Sequence, residues 1–213
     1  MSEFELSRRF VDEQIAELPE QRIARRYALE AGLDPISPTV GAHLAFLAAA
    51  TNAQQIIEIG STGGLTSTWL HRGAPRSTIT VIDAESELLA DTRQALVAAG
   101  HAAARIRCIA GDPRAVLPRM SDSSYDLVVV GDDLTHTAAY LRHALQLVRP
   151  GGTILVLDAL NGGSVADPAR RDAVTTSLRA VIRELQRQPD LAASVLPLDG
   201  GILQVTAVTA GQA

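Results

Sequence analysis

The sequence predicts an α/β fold: a seven-stranded, mostly parallel sheet with helices on both faces and an antiparallel strand near its C-terminal end. Three observations carry this expectation. Short β-branched runs alternate with helical segments across short connections, the pattern of βαβ units. Residues Tyr125 to Val130 are almost continuously apolar, as in a strand buried on both faces of a parallel sheet. Near the end, Leu198-Asp199-Gly200-Gly201 joins two strand candidates through a tight Asp-Gly turn, which makes those strands antiparallel neighbours.

Residues 5–50 read as helices, broken at Pro19 and around Gly32-Leu33-Asp34-Pro35. Ile56-Ile57-Glu58-Ile59 is a first strand that stops at Gly60, and a helix starts at Leu65. Thr78 to Ile82 is the second strand. The helix from Glu85 to Ala99 ends at Gly100, a common helix stop. Arg105 to Ala110 is the third strand, followed by a short helix from Arg114 to Met120. After the fourth strand, Thr135 to Val148 is helical and ends at Pro150-Gly151-Gly152, the turn into a fifth strand, Thr153 to Leu157. A long amphipathic helix follows Asp167-Pro168 and runs to about Arg187. Ala193 to Leu196 and Ile202 to Val208 complete the set. No repeat or low-complexity stretch interrupts this order, so residues 1–213 are expected to form one domain.

Composition narrows the function. The chain has 213 residues, 46% of them hydrophobic and 20% charged, enough for a single well-buried core. Its net charge of −5, with the Arg8-Arg9 and Arg25-Arg26 pairs set among acids, speaks against a nucleic-acid track. No apolar run approaches the ~20 residues of a membrane span. The acidic N-terminus has no apolar signal core, and the single Cys108 has no disulfide partner within the chain, so a cytoplasmic, reducing compartment is expected.

The chemistry concentrates in Glu58-Ile59-Gly60-Ser61-Thr62-Gly63-Gly64-Leu65-Thr66. Glycines after a first strand allow a tight turn and close approach of a ligand to the backbone. The free N–H groups of the next helix suit a carboxylate or a phosphate. Asp83, about 20 residues on, stands where a strand-end carboxylate accepts from both ribose hydroxyls. An ordinary strand-to-helix turn with Asp83 capping a helix explains either feature alone; the two in this order favour a nucleoside ligand. The dinucleotide fingerprint Gly-x-Gly-x-x-Gly is absent, because position 62 is Thr, which disfavours an NAD-dependent oxidoreductase. An acid two residues before the first glycine, Glu58, is typical of S-adenosylmethionine sites.

On these residues the chain resembles the caffeoyl-CoA O-methyltransferase-like group of class I, Rossmann-like methyltransferases, and particularly its small actinobacterial branch. The family's first motif falls on Glu58-Ile59-Gly60-Ser61 and Gly64-Leu65-Thr66. Ser37-Pro38-Thr39-Val40-Gly41, Arg149-Pro150-Gly151-Gly152, Gly162-Gly163-Ser164-Val165-Ala166-Asp167-Pro168 and Leu196-Pro197-Leu198-Asp199-Gly200-Gly201 match further signatures in order. The resemblance implies an S-adenosylmethionine-dependent O-methyltransferase acting on a small-molecule hydroxyl, with S-adenosylhomocysteine as product. It implies cofactor contacts from Val40, Glu58, Gly60, Ser61, Gly64, Thr66, Asp83, Ala84, Asp112, Pro113 and Gly131. Residues 1–50 become dimer and lid elements of a homodimer, an expectation that the apolar Phe4, Leu6, Phe10, Val11, Ile15 and Leu18 share.

The sequence departs from the family on the acceptor side. Metal-dependent members hold a divalent ion between an Asp after the fourth strand and an Asp-Asn pair after the fifth. With Tyr125 and Tyr140 in register, those places fall on Gly131 and on Asp158-Ala159, so one ligand of three survives and no metal is expected. Asp132 is a substitute only after a one-residue shift. Asp133, His136 and Asp158 are then the candidate bases near the transferred methyl; Asp133 and His136 also read as a cap and a first-turn residue of a helix. Pro113, where the family generally has Ala, has no N–H to offer an adenine ring. A non-catalytic S-adenosylmethionine-binding protein of the same fold is the alternative reading.

Overall fold

The computed structural model describes residues 3–131 and 133–208, the side chain of Phe4 excepted. Three helices lead: α1 (Glu3–Gln14), α2 (Pro19–Glu30) and α3 (Pro38–Ala50). Each of the last two has proline at its first position, where the missing N–H costs nothing, and Ser37 caps α3 by accepting from Val40 N at 3.2 Å. Alternation follows through β1 (Gln55–Ile59), α4 (Leu65–Gly73), β2 (Thr78–Asp83), α5 (Ser86–Ala98), β3 (Ile106–Ala110), α6 (Pro113–Val116), β4 (Tyr125–Val130), α7 (Thr137–Leu147) and β5 (Val148–Val156). The chain closes with α8 (Ala173–Leu185), β6 (Leu191–Leu196) and β7 (Ile202–Ala207).

The strands form one seven-stranded sheet in the order β3-β2-β1-β4-β5-β7-β6. β1 to β5 pair in parallel, and β7 inserts antiparallel between β5 and β6. This is the expected architecture, with the Asp-Gly turn making the hairpin. Period-two alternation assigns the two faces. Ile57, Ile59, Val128, Val130, Ile154 and Val156 pack with Tyr140, Leu141 and Ala144 of α7. Ile56, Ile79, Val81, Leu127, Val129 and Leu155 pack on the other side with Leu44, Leu70 and Leu96 from α3, α4 and α5.

Three local readings are corrected. The turn expected at Arg149-Pro150-Gly151-Gly152 belongs to β5, which starts at Val148 and shifts register between the pairs Tyr125–Val148 and Leu127–Thr153. Such an irregularity accommodates a proline that has no ladder N–H. The helix expected after Asp167-Pro168 starts only at Ala173, because Asp172 is its N-cap and accepts from Thr175 N at 2.9 Å. The segment from Arg114 to Met120 divides into α6 and a separate 3-10 turn, Leu117–Arg119, with Pro118 inside that turn. No helix among the described residues is long and apolar enough to cross a membrane.

Candidate functional site

Strand order reverses between β1 and β4, and the carboxyl ends of the flanking strands open a crevice there, the ligand position of doubly wound sheets. Nearly every residue expected from sequence ends or follows a strand at this edge. Glu58 and Gly60 are at β1, Asp83 and Ala84 at β2, Asp112 and Pro113 after β3, Gly131 after β4 and Asp158 after β5. Val40, from the first turn of α3, faces them and is buried.

The turn after β1 is built around backbone conformations that side chains rarely adopt. Gly60, Gly63 and Gly64 have φ of 81°, 63° and 94°. A Cβ on Gly64 would lie 2.6 Å from Ala95 Cβ, so α5 could not pack so closely behind any other residue. Asp83 fastens the turn: Oδ2 accepts from Ser61 N at 2.6 Å and Oδ1 from Glu85 N at 2.7 Å. Each oxygen keeps a further lone pair for a ligand. Ser61 Oγ meets Thr92 Oγ1 at 2.5 Å, and Thr66 Oγ1 lies 3.2 Å from Thr62 Oγ1.

Glu58 is the least solvated acid of the site, 1% exposed. Ser67 Oγ donates to its Oε2, whereas Oε1 is buried without a partner. Burial pushes its carboxyl up to about 8, and the nearby Asp83 charge adds to the rise against the Ser67 bond. A buried, unpartnered acceptor beside the glycine turn fits the ammonium end of an amino-acid ligand.

Beyond β4 and β5 the chain encloses a cavity of 730 Å³, within the range of small-molecule sites. Val40, Leu134, Leu157, Leu198 and Ile202 give it apolar walls, and Arg8, Asp34, Asp158 and Asp199 give it charge. Asp158 has φ +54° and lies so close to Gly200 that a Cβ there would meet its Oδ1. The residue as a whole is exposed, but desolvation of its carboxyl at the cavity wall, then the charges of Asp34 and Asp199, raise it above the ordinary carboxylate value, although the Gly200 N–H donates to it. Asp199 Oδ2 accepts from Ser37 N at 2.8 Å, while its Oδ1 stands 3.9 Å from Arg8 of α1. Asp12 Oδ1 accepts from Thr39 N and Thr39 Oγ1 at 3.1 and 2.6 Å, so α1 lies over the cofactor-side segment 37–40.

Other candidates are engaged elsewhere. Asp133 accepts from Thr135 N at 2.9 Å as the cap of a 3-10 turn, Leu134–His136, and that bond holds its carboxyl low. His136 stacks edge-on against Tyr140 at 6.0 Å, and neither it nor Asp133 lines the cavity. Asp112 holds Arg114 through both carboxylate oxygens, at 2.6 to 3.0 Å, while also capping α6. Gly131 and a wholly buried Ala159 stand at the positions where the sequence register expects metal ligands, and among the described residues no three His, Cys, Asp or Glu side chains group as a metal site. Asp132 lies outside the described residues. Reasoning from sequence missed Arg8, Asp34 and Asp199 as cavity residues. Only the Asp-Gly turn marked their region, and nothing local ties residue 8 to residue 199.

The match to the O-methyltransferase family model spans residues 11–208. The chain belongs to the O-methyltransferase family. A Mycobacterium marinum protein that carries the name of an O-methyltransferase is 36% identical over 183 residues, 85% of this chain and 82% of its own length. A crystal structure of a Corynebacterium glutamicum protein has a TM-score of 0.92 at 28% identity, covering 100% of both chains. The O-methyltransferase TomG of Streptomyces achromogenes, involved in tomaymycin synthesis and solved with S-adenosylmethionine, has a TM-score of 0.86 at 25% identity, covering 98% of this chain and 100% of that one. The enzyme class expected from the sequence, an O-methyltransferase, is the class of this chain.

Proposed function

We propose that the protein transfers the methyl group of S-adenosylmethionine to the hydroxyl of a small molecule held in the 730 Å³ cavity, without a divalent metal. The observation that carries this reading is Asp158, which lines the cavity at the end of β5 with its carboxyl raised above the usual range. A carboxylate of raised pKa is a stronger base, and a base within reach of a hydroxyl is what methylation of an oxygen needs in place of a metal. Of the three titratable groups considered, Asp158 is the one that lines the cavity.

S-Adenosylmethionine, when bound, supplies an electrophilic methyl on a sulfonium. The residues around it have separable tasks. Ionised Glu58 would accept from the ammonium, the N–H groups of the Gly60–Gly64 turn would face the carboxylate, and Asp83 would hold the ribose. Asp112 and Pro113 would border the adenine, where Pro113 offers packing but no donor. Asp158 would take the proton of the acceptor hydroxyl, whose oxygen would gain the methyl as the S–CH3 bond breaks and S-adenosylhomocysteine leaves. The metal-independent reading rests on Gly131 and Ala159, which offer no oxygen from a side chain.

A second copy of the chain is the proposed partner, across α1 and α2. Phe10 is 63% exposed, and Leu6, Val11, Leu18, Ile23 and Leu29 are exposed with it. The side chain of Phe4 lies outside the described residues; among the described side chains of the expected face, Ile15 is the exception, since it packs inward on Ala24, Leu65 and Trp69. The arginine pairs serve the protein's own acids: Arg9 with Glu13 at 2.8 Å, Arg25 with Glu17 at 2.6 Å. This favours a partner list without nucleic acid, and the single Cys108, a free thiol, favours a reducing compartment such as the cytoplasm.

Calorimetry with S-adenosylmethionine, S-adenosylhomocysteine and NAD tests the cofactor, with binding of the first two and not of NAD expected. Turnover against a panel of phenols and hydroxylated metabolites tests the reaction. Gly131 and Ala159 also favour a second reading, a protein that binds the cofactor without catalysis, which predicts binding and no turnover across the panel.

A further inference from the structure

The glycine turn has a back wall as well as a ligand side, and one residue of that wall comes from the N-terminal helices. A Cβ on Gly63 would stand 2.6 Å from Tyr27 Cδ1 and 2.7 Å from Cε1, so the ring edge of Tyr27 rests directly on this backbone. The Asp91 carboxylate of α5 is the main cause that pushes its phenol up to about 12, although Asp91 Oδ2 is buried without a hydrogen-bond partner. Tyr27 therefore reaches from α2 across the turn toward α5. The same helix supplies Thr92 and Ala95 behind Ser61 and Gly64. A ring packed on a glycine at φ +63° favours one peptide orientation.

The geometry points to Tyr27 as a positioning residue for the cofactor: carried on α2 and packed on the turn, its ring holds Gly63, and with it the N–H groups at the start of α4, in the orientation that receives the carboxylate of S-adenosylmethionine. This rests on the cofactor reading given above. It explains why position 63 carries no side chain, and it makes cofactor affinity depend on the docking of a helix that contributes no atom to the ligand.

Calorimetric titration with S-adenosylhomocysteine, with thermal melts of every variant as a control for folding, tests the assignment. Tyr27→Ala is expected to weaken binding about tenfold, the range of coupling between touching groups, and Tyr27→Phe, which keeps the ring, to stay within about twofold of wild type. Gly63→Ala alone should weaken binding at least about tenfold, from the collision with the ring together with the strained backbone. In the Tyr27→Ala/Gly63→Ala double variant the collision is gone, so its affinity should fall well short of the product of the two losses. A purely structural role would lower the melting temperature and leave the two losses multiplicative. Wild-type affinity in Tyr27→Ala, or multiplicative losses in the double variant, would overturn the assignment. Should Tyr27→Ala fail to fold, Tyr27→Leu carries the test, and unchanged affinity there overturns the assignment. Absence of binding by the wild-type protein would overturn the cofactor reading itself, and this assignment with it.

Discussion

The two halves of the crevice are built on opposite plans. On the cofactor side, Glu58, Ser61 and Thr66 are buried, the turn is fastened by Asp83, and Gly63 and Gly64 are backed by Tyr27 and by Ala95. On the acceptor side, the polar groups are carboxylates carried by loops, with Asp158 and Asp199 both at positive φ, and Arg8 reaching in from the first helix. A site for an invariant ligand can be locked into the sheet and its adjoining helices. A site for a variable acceptor is assembled from loops, which tolerate change most easily, and here those loops carry Gly131 and Ala159 where the sequence register expects metal ligands.

The contrast can be broken most directly at Asp158. Asp158→Asn is expected to lower turnover of any accepted hydroxyl substrate by about 10²-fold or more, the lower range of a general base. Affinity for S-adenosylhomocysteine should stay within about twofold of wild type, since a contact confined to the other half costs little at a distance. Equal losses of turnover and cofactor affinity would show that the two halves are not separable.

The converse variant is Asp83→Ala. Loss of charge-assisted bonds predicts a decrease in cofactor affinity of about 1.5–3 kcal/mol. Calorimetry measures it directly, and an unchanged affinity in a folded variant removes Asp83 from the site.

A smaller, pH-dependent effect belongs to Glu58. Its carboxyl ordinarily titrates near 4.5 and is raised to about 8 in the folded chain. The folded state therefore prefers the neutral acid, and this preference is fully present below pH 4.5 and is lost as the pH rises through about 8. Glu58→Gln cannot ionise, so the ligand-free variant should gain stability over wild type across that window and show no gain below it. Affinity of the wild-type protein for S-adenosylmethionine should rise over the same window as the ionised acid meets the ammonium. Denaturant melts and calorimetry between pH 4 and 9 check both, and parallel profiles for the variant and wild type would exclude Glu58 as the titrating group.

The smallest expected effect is none at all. Chelators should leave cofactor binding and turnover unchanged, and added Mg²⁺ or Ca²⁺ should restore or enhance nothing. Gly131→Asp with Ala159→Asn should instead create measurable divalent-metal binding by isothermal titration. Activity abolished by EDTA and restored by Mg²⁺ would overturn the metal-independent reading and direct attention to Asp132.

What could be read from residue order alone was whatever depends on near neighbours. The strand runs, the glycine turn at 60–64, the acid at position 83 and the Asp-Gly hairpin turn are local, because backbone sterics and period-two burial act over a few residues. Even there, Arg149-Pro150-Gly151-Gly152 was misread as a turn, since pairing with Tyr125 across the sheet holds it as an irregular strand. Long-range packing alone decided the rest. Arg8 meets Asp199, Ser37 meets that same Asp199, and Tyr27 meets Gly63 only because the N-terminal helices fold back over the crevice. Asp133 and His136 have the right chemistry and the right neighbourhood in sequence, but Asp133 caps a 3-10 turn, His136 packs on Tyr140, and neither lines the cavity that Asp158 lines. Side-chain direction is set by the whole set of contacts around a residue, and no spacing of residue types carries it.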